Sequence, residues 1–398
     1  MLHLHIQSIH SIFHRSLKGI SLKKRLFTPG PTPVPESVML RMAQPIIHHR
    51  HPEFLEILTR VNKNLQYLFQ TSHEVLTLTS SGTGAMEAAV CNLHSPGETA
   101  IFVNGGKFGE RWGKILIAYG VQAVEIRVEW GDSVTLDQIQ AAMKSHPSAK
   151  ALYITHSETS TGAATDIKSI AAAVHQNSDA LVIVDGITAV GAMEMRMDEW
   201  QIDGVVTGSQ KGLMIPPGLA FLALSEKAWN VAGRSTLPKY YFDLQKARKA
   251  FADNDTPWTP AVSLVIGVDS ALEMVRQEGI ENVWARHERL ARGIRSGVQA
   301  LGLKILGKCP SNALTAVFIP ESVDSRQFNK VLKNTYGITV AGGQGQLKGK
   351  IFRISHLGYY DEFDMTTMIS ALELTLRECG YKFELGSGVR AALQTFAH

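Results

Sequence analysis

Cysteine is scarce: three residues in 398, at Cys91, Cys309 and Cys379, with no C-x-x-C spacing among them. Such a count points away from a disulfide framework and from a zinc site, and a reducing compartment fits it. No apolar run approaches the ~18 residues that a membrane-spanning helix needs. Charge of one sign is equally thin, because 40 Lys and Arg against 36 Asp and Glu leave a formal net charge of +4. Basic runs are confined to the first 25 residues, so the clustered stripe of a nucleic-acid binder is missing. Internal repeats and low-complexity tracts are missing too. What remains is 44% hydrophobic and 19% charged, which excludes a disordered chain and supplies a large core. At ~150 residues per domain, two to three domains are expected.

Acid is wholly absent from residues 1–26, which carry Arg15, Lys18, Lys23, Lys24 and Arg25. The composition suits an organellar transit peptide, or an extension that adds nothing to the fold; it lacks the apolar block of a secretory signal. The expected location is therefore cytoplasmic, with an organelle as the alternative. The first firm structural mark is Thr28-Pro29-Gly30-Pro31-Thr32-Pro33, too rich in proline for a helix or a central strand.

From residue 53 the pattern becomes regular. Apolar positions Phe54, Leu55, Leu58, Val61, Leu65, Leu68 and Phe69 have helical spacing. Short apolar runs follow at 75–79, 100–103, 121–128, 151–155, 180–184, 203–207 and 219–224, with helical stretches between several of them. That alternation predicts an α/β domain with a mostly parallel sheet. After Trp229 the texture changes to a proline-bearing loop, a long helical stretch from 262 to 301, and a smaller α+β unit. The expected division is an extension at 1–26, an arm and large domain at 27–260, a linking helix and small domain at 261–380, and a tail at 381–398.

Ligands of open α/β sheets bind beyond the carboxyl ends of the strands, so the polar residues that end these runs are the candidates. Ser81-Gly82-Thr83-Gly84 follows the run 75–79 and opens a helix. It suits a phosphate, whose charge complements a helix N-terminus, or simply a helix cap. Asp185 ends Ala180-Leu181-Val182-Ile183-Val184, as a metal ligand, a catalytic group or a cap. Lys211 follows the next run among small polar residues, either as a nucleophile toward carbonyls or as an ordinary surface lysine. Together, a phosphate cradle, an acid and a lysine are what pyridoxal phosphate requires.

At these residues the sequence resembles the class V aminotransferases of fold type I, and within them the alanine–glyoxylate and serine–pyruvate or serine–glyoxylate enzymes. The resemblance runs from about Thr28 to Gly380. It is carried by F-T-P-G-P-T-P-V-P (27–35), S-S-G-T-G-A-M-E-A-A (80–89), N-G-G-K-F-G-E-R-W (104–112) and H-S-E-T-S-T-G (156–162). Further blocks are V-D-G-I-T-A-V-G (184–191), S-Q-K-G-L-M-I-P-P-G (209–218), T-P-W-T-P-A-V-S-L (256–264) and G-K-I-F-R-I-S-H-L-G (349–358). It implies a large domain with a mostly parallel seven-stranded sheet and a smaller C-terminal α+β domain. It further implies pyridoxal 5'-phosphate as cofactor, small amino acids and 2-oxo acids as substrates, and a homodimer with shared active sites.

The resemblance also assigns roles. Lys211 is implied as the Schiff-base lysine and proton shuttle, and Asp185 as the partner of the pyridine nitrogen. Ser81, Gly82 and Thr83 would line the phosphate with Gln210 beside it. Phe108 falls where the family stacks an aromatic on the ring, commonly a Trp. Thr159 would hydrogen-bond the ring hydroxyl, and Arg353 would bind the substrate α-carboxylate. Thr256 or Thr259 would reach the phosphate of the neighbouring subunit; the sequence leaves the choice open. No second basic residue is evident for a distal carboxylate, which favours alanine, serine and glyoxylate, although His49 and Arg50 could line the entrance.

Three other readings compete. Cysteine desulfuration needs a reactive cysteine on a mobile loop, and the Gly-rich loop 342–349 has none. A non-catalytic subunit of the same fold would be expected to have lost the lysine, the acid or the arginine. A nicotinamide dehydrogenase would need the third glycine that Gly82-x-Gly84-x-x-Glu87 lacks.

Overall fold

The seven apolar runs form one sheet. In the computed structural model, which describes residues 22–397, the order from edge to edge is Val75–Leu78, Ala220–Leu224, Gly204–Gly208, Leu181–Asp185, Ala151–Thr155, Thr99–Asn104 and Gln122–Arg127. All neighbours are parallel except Ala220–Leu224, which runs against both strands beside it. The inner strands Leu181–Asp185, Gly204–Gly208 and Ala220–Leu224 are buried at every residue, as expected where helices cover both faces of a sheet.

Alternation along each strand feeds two cores. Val182 and Val184 face a cluster with Phe54, Leu58, Val61 and Leu65 of helix Pro52–Phe69. Leu181 and Ile183 face Ala85, Met86 and Ala89 of helix Gly82–Leu93, with Trp112 beside them. Period 2 in the strands thus meets period 3.6 in the helices, and the sheet is fixed in register.

The helical stretch 262–301 is two helices, Val262–Glu278 and Ile280–Ala300, separated at Gly279. Its φ of 83° is one that side-chain-bearing residues rarely adopt, so the break belongs to glycine. The second helix leads to a three-stranded antiparallel sheet with Ile351–Ser355 between Leu314–Phe318 and Ala341–Gly342.

Both expected end segments need correction. Arg25–Leu26 is not part of a free extension, because it pairs in parallel with Ile338–Thr339 of the small unit. Phe27 continues the contact, donating its N–H to the Thr339 carbonyl at 2.7 Å. Residues 1–21, where the rest of the proposed extension falls, lie outside the described residues. The expected tail at 381–398 contains helix Ser387–Phe396, which packs on Ile280–Ala300. Its signal is weak because its contacts rely on small residues. Gly293 faces the Phe396 ring, with which a Cβ would collide, and a Cβ at Gly297 would lie only 3.2 Å from the Gly388 carbonyl.

Candidate active site

Parallel pairing sets the carboxyl ends of Ala151–Thr155, Leu181–Asp185 and Gly204–Gly208 side by side, with Thr155 opposite Asp185 and Asp185 opposite Val206. Two successive antiparallel steps restore the same direction in Val75–Leu78, and Thr99–Asn104 is parallel to Ala151–Thr155. The loops bearing Ser81, Phe108, Thr159, Asp185 and Lys211 therefore open on one edge of the sheet.

Lys211 sits in the loop that turns Gly204–Gly208 into the antiparallel Ala220–Leu224. Ser209 closes the base of that loop: its Oγ donates to the Pro216 carbonyl at 2.8 Å and accepts the Leu219 N–H at 3.2 Å. The proline-rich arm lies over it. Thr32 donates its N–H to the Gln210 carbonyl at 3.2 Å and its hydroxyl to the Lys211 carbonyl at 3.1 Å. The Lys211 amine is buried and donates to the Pro29 carbonyl. Burial pushes its pKa down to about 8 against the pull of Asp185, and the Arg353 and Arg111 charges add to the fall. At pH 7 roughly one amine in ten is then neutral, against about one in three thousand for a free lysine. That is a nucleophile.

Asp185 ends its strand buried, with Oδ1 accepting the Ile187 N–H at 2.9 Å. Burial pushes its pKa up to about 7. The Ile187 N–H holds it back, the Glu158 charge raises it further, and the Arg111 and Lys211 charges lower it. A buried acid so placed gains most from a cationic N–H partner.

Helix Gly82–Leu93 begins without a side-chain cap, although Ser81 stands at the N-cap position with an exposed side chain. Its first N–H groups have no intrahelical partner and carry the positive end of the helix dipole. Gly208 approaches so closely that a Cβ there would lie 3.4 Å from the Gly82 nitrogen and 3.2 Å from Gln210 Oε1. These features form an anion cradle.

Phe108 precedes helix Gly109–Ala118 and is held from behind by Glu158. One carboxylate oxygen of Glu158 accepts the N–H groups of Phe108 and Gly109 at 3.1 and 2.9 Å, and the other accepts Ser160 N and Oγ at 3.0 and 2.6 Å. Thr159 and Thr188 share a hydroxyl contact of 2.6 Å. Arg353, in the central strand of the small sheet, crosses to this loop: Nη1 donates to the Thr159 carbonyl at 2.8 Å, while Nη2 and Nε donate to the Gly342 carbonyl at 2.7 and 3.1 Å. It is buried, and among the described residues no carboxylate lies within 4.0 Å of it. A buried guanidinium without a counter-charge is suited to receive a carboxylate.

Other candidates stand apart. The Thr256 hydroxyl is engaged by the Trp258 carbonyl at 2.9 Å, and Thr259 is exposed. Arg50 lies 3.6 Å from Asp255 in an exposed pair. Cys91 is buried, and burial pushes its thiol up to about 12, which makes it inert. Two residues of the site went unassigned in the sequence, Glu158 and Arg111. Both lie inside the quoted blocks, but a charged residue in a loop or in a first helical turn carries no local mark of an unpaired charge.

The set fits pyridoxal phosphate on three observations: the uncapped helix start, the buried Asp185 and the buried Lys211 amine.

Residues 25–362 match the family described as aminotransferase class-V. The chain is 44% identical to a protein named soluble hydrogenase, small subunit, of Synechococcus sp. (strain PCC 6716), over 93% of this chain and 97% of that one. It is 36% identical to the L-aspartate–glyoxylate aminotransferase of Paracoccus denitrificans (strain Pd 1222), over 93% and 96%. Among solved structures, the ureidoglycine–glyoxylate aminotransferase of Bacillus subtilis superposes with a TM-score of 0.90 at 28% identity, covering 96% of this chain and all of that one.

Proposed function

Because the chain belongs to the class-V aminotransferases, we propose that it moves an amino group from a small amino acid, alanine or serine, to glyoxylate or pyruvate, in two half-reactions at one site. The observation that carries this reading is the buried Lys211 amine beside buried Asp185, with the unpaired Arg353 guanidinium on the same edge. Bound pyridoxal phosphate supplies the electron sink for charge at the substrate Cα and carries the amino group between half-reactions.

Each residue then has a task. Lys211 Nζ, whose pKa burial lowers to about 8 so that a reactive neutral fraction is present at neutral pH, anchors the cofactor and moves a proton to and from the substrate Cα. Asp185 holds the proton on the ring nitrogen. Ser81, Gly82, Thr83 and Gln210 would take the phosphate, Phe108 would stack on the ring, and Thr159 would meet the ring hydroxyl. Arg353 takes the α-carboxylate common to every donor and acceptor.

We read the active assembly as a homodimer in which Thr259, rather than Thr256, reaches the partner's phosphate. The Thr256 hydroxyl is already engaged, whereas Thr259 is exposed beside a stack of Tyr240, Tyr241 and Trp258. Tyr240 is 71% exposed there, an aromatic surface suited to burial against a second chain.

Glyoxylate stands in the names of the Paracoccus and Bacillus enzymes, which supports it as acceptor. Their donors differ, and alanine or serine is chosen because Arg353 is taken up by the α-carboxylate and no second basic residue is assigned to a distal one. A panel of alanine, serine and aspartate against glyoxylate and pyruvate tests this. Turnover fastest with alanine or serine is expected, and a preference for aspartate would refute the small-donor half. The name of the Synechococcus relative raises a non-catalytic reading, against which stand the intact lysine, acid and arginine. A chain inert toward the whole panel would favour it.

Two substitutions probe the walls of the site. Lysine offers a point charge where the guanidinium offers two parallel donors. Arg353→Lys should therefore raise KM for all donors and acceptors together, roughly ten- to hundredfold, with cofactor binding unchanged. Weakening toward a single substrate would make Arg353 a side-chain selector instead. Gly30 has a φ of 134°, and a Cβ there would collide with the Lys211 side chain. Gly30→Ala should lower kcat on the order of a hundredfold, since displacing a reacting group by about 1 Å costs that much, and should also lower the thermal unfolding midpoint, because alanine is strained at that φ. Unchanged kcat would mean that the arm yields.

A further inference from the structure

The charges of the site leave one cation without a task. In the class-V reading Lys211 carries the cofactor and Arg353 takes the substrate carboxylate. Arg111, in the first turn of helix Gly109–Ala118, is half-buried, and among the described residues no carboxylate lies within 4.0 Å of it. Arg286 is paired with Glu278 at 2.6 Å and Arg248 with Glu74 and Glu226, whereas half-buried Arg295, which also has no carboxylate within 4.0 Å among the described residues, is taken up by the Ser311 carbonyl and the Asn312 side-chain oxygen. Arg111 instead turns inward. Its Nη1 donates to Thr83 Oγ1 at 2.9 Å, and its guanidinium lies 4.8 Å from the centre of the Phe108 ring.

Thr83 belongs to the uncapped start of helix Gly82–Leu93, so Arg111 is tied to the cradle itself. A helix start offers about half a positive charge, whereas a phosphate monoester carries about −1.5 to −2 at neutral pH. Backbone N–H groups alone leave at least one negative charge uncompensated in a partly buried place. A guanidinium has five N–H donors in a planar fork, and only one is engaged here.

We propose that Arg111 is the phosphate-binding cation of this site, holding a phosphate monoester dianion jointly with Thr83 and the first N–H groups of helix Gly82–Leu93. The proposal rests on the class-V reading and adds to it a residue, a ligand group and a physical task. The contact with Phe108 suggests a different role, in which Arg111 only steadies the ring on which the cofactor stacks. Phosphate dependence separates the two, because pyridoxal has the same ring as pyridoxal phosphate and no phosphate.

The test is equilibrium titration of the full cofactor-free chain with pyridoxal phosphate and, separately, with pyridoxal, for the parent, Arg111→Gln and Arg111→Lys. Loss of charge-assisted hydrogen bonds predicts a Kd for pyridoxal phosphate raised roughly ten- to hundredfold in Arg111→Gln, with pyridoxal binding unchanged. Arg111→Lys keeps the charge without the fork and should fall between parent and Gln; it carries the test if the Gln variant does not fold. Equal weakening of both ligands would overturn the proposal in favour of the Phe108 role, and unchanged binding of both would overturn it outright. A parent that bound pyridoxal phosphate no better than pyridoxal would refute the cradle itself, and so the wider reading, before any variant was considered.

Discussion

Lys211→Ala is expected to abolish amino transfer, with kcat falling at least on the order of ten-thousandfold for every donor and acceptor. The alanine removes the buried Lys211 amine and leaves the cradle, Asp185 and Arg353 in place. Cofactor should therefore still bind, but reversibly, and dialysis should strip it from the variant more readily than from the parent. The parent should also show a pH dependence that the variant lacks. With the amine at about 8, its neutral fraction rises with pH up to that value and levels above it. Capture of added cofactor by the cofactor-free parent should accordingly quicken from pH 6 to about pH 8 and then flatten. A variant that turned over at the parent rate would move the essential amine elsewhere.

Asp185→Asn is expected to be the second most damaging change. The substitution keeps the shape, and an amide oxygen can still accept the Ile187 N–H that now meets Oδ1 at 2.9 Å. What it removes is the negative charge that keeps a proton on the ring nitrogen. The loss should fall on kcat, on the order of a hundred- to ten-thousandfold, or about 3–5 kcal/mol of transition-state stabilisation. KM should move little, because Arg353 holds the substrate independently. A second readout follows from the charge pair. Asp185 raises the pKa of Lys211, so its loss should lower the amine below about 8 and shift the pH profile of cofactor capture to lower pH. An unchanged turnover number would place a different acid at the ring nitrogen.

Much of the fold could be read from local pattern. All seven apolar runs became strands because each is short, apolar and bounded by polar or glycine-rich segments. The direction of Ala220–Leu224 could not be read, since nothing in five apolar residues says which way they run; the tight loop 209–219 turns it. The break at Gly279 was hidden for a related reason, because one glycine inside a helical pattern is tolerated unless its φ is positive. Helix Ser387–Phe396 was missed because glycines on both helices make the contact.

Of the site, Lys211, Asp185, the cradle and Arg353 were legible because sequence blocks carry them and strand ends expose them. Arg111 and Glu158 were not. Their significance lies in what they lack or gather. Arg111 lacks a carboxylate among the described residues, and Glu158 gathers the N–H groups of Phe108, Gly109 and Ser160. Such facts exist only after the chain has folded. The arm shows the same limit, since Thr28-Pro29-Gly30-Pro31 announces an extended segment but not that its carbonyl receives the Lys211 amine.

The central claim is that one lysine, Lys211, carries the cofactor. Borohydride reduction of the purified protein with bound pyridoxal phosphate, followed by peptide mass mapping, tests it directly. The account predicts the added cofactor mass on the single peptide containing Lys211, and its disappearance when the protein is first stripped of cofactor. Label on another lysine, or a fully loaded protein with no label at all, would contradict it.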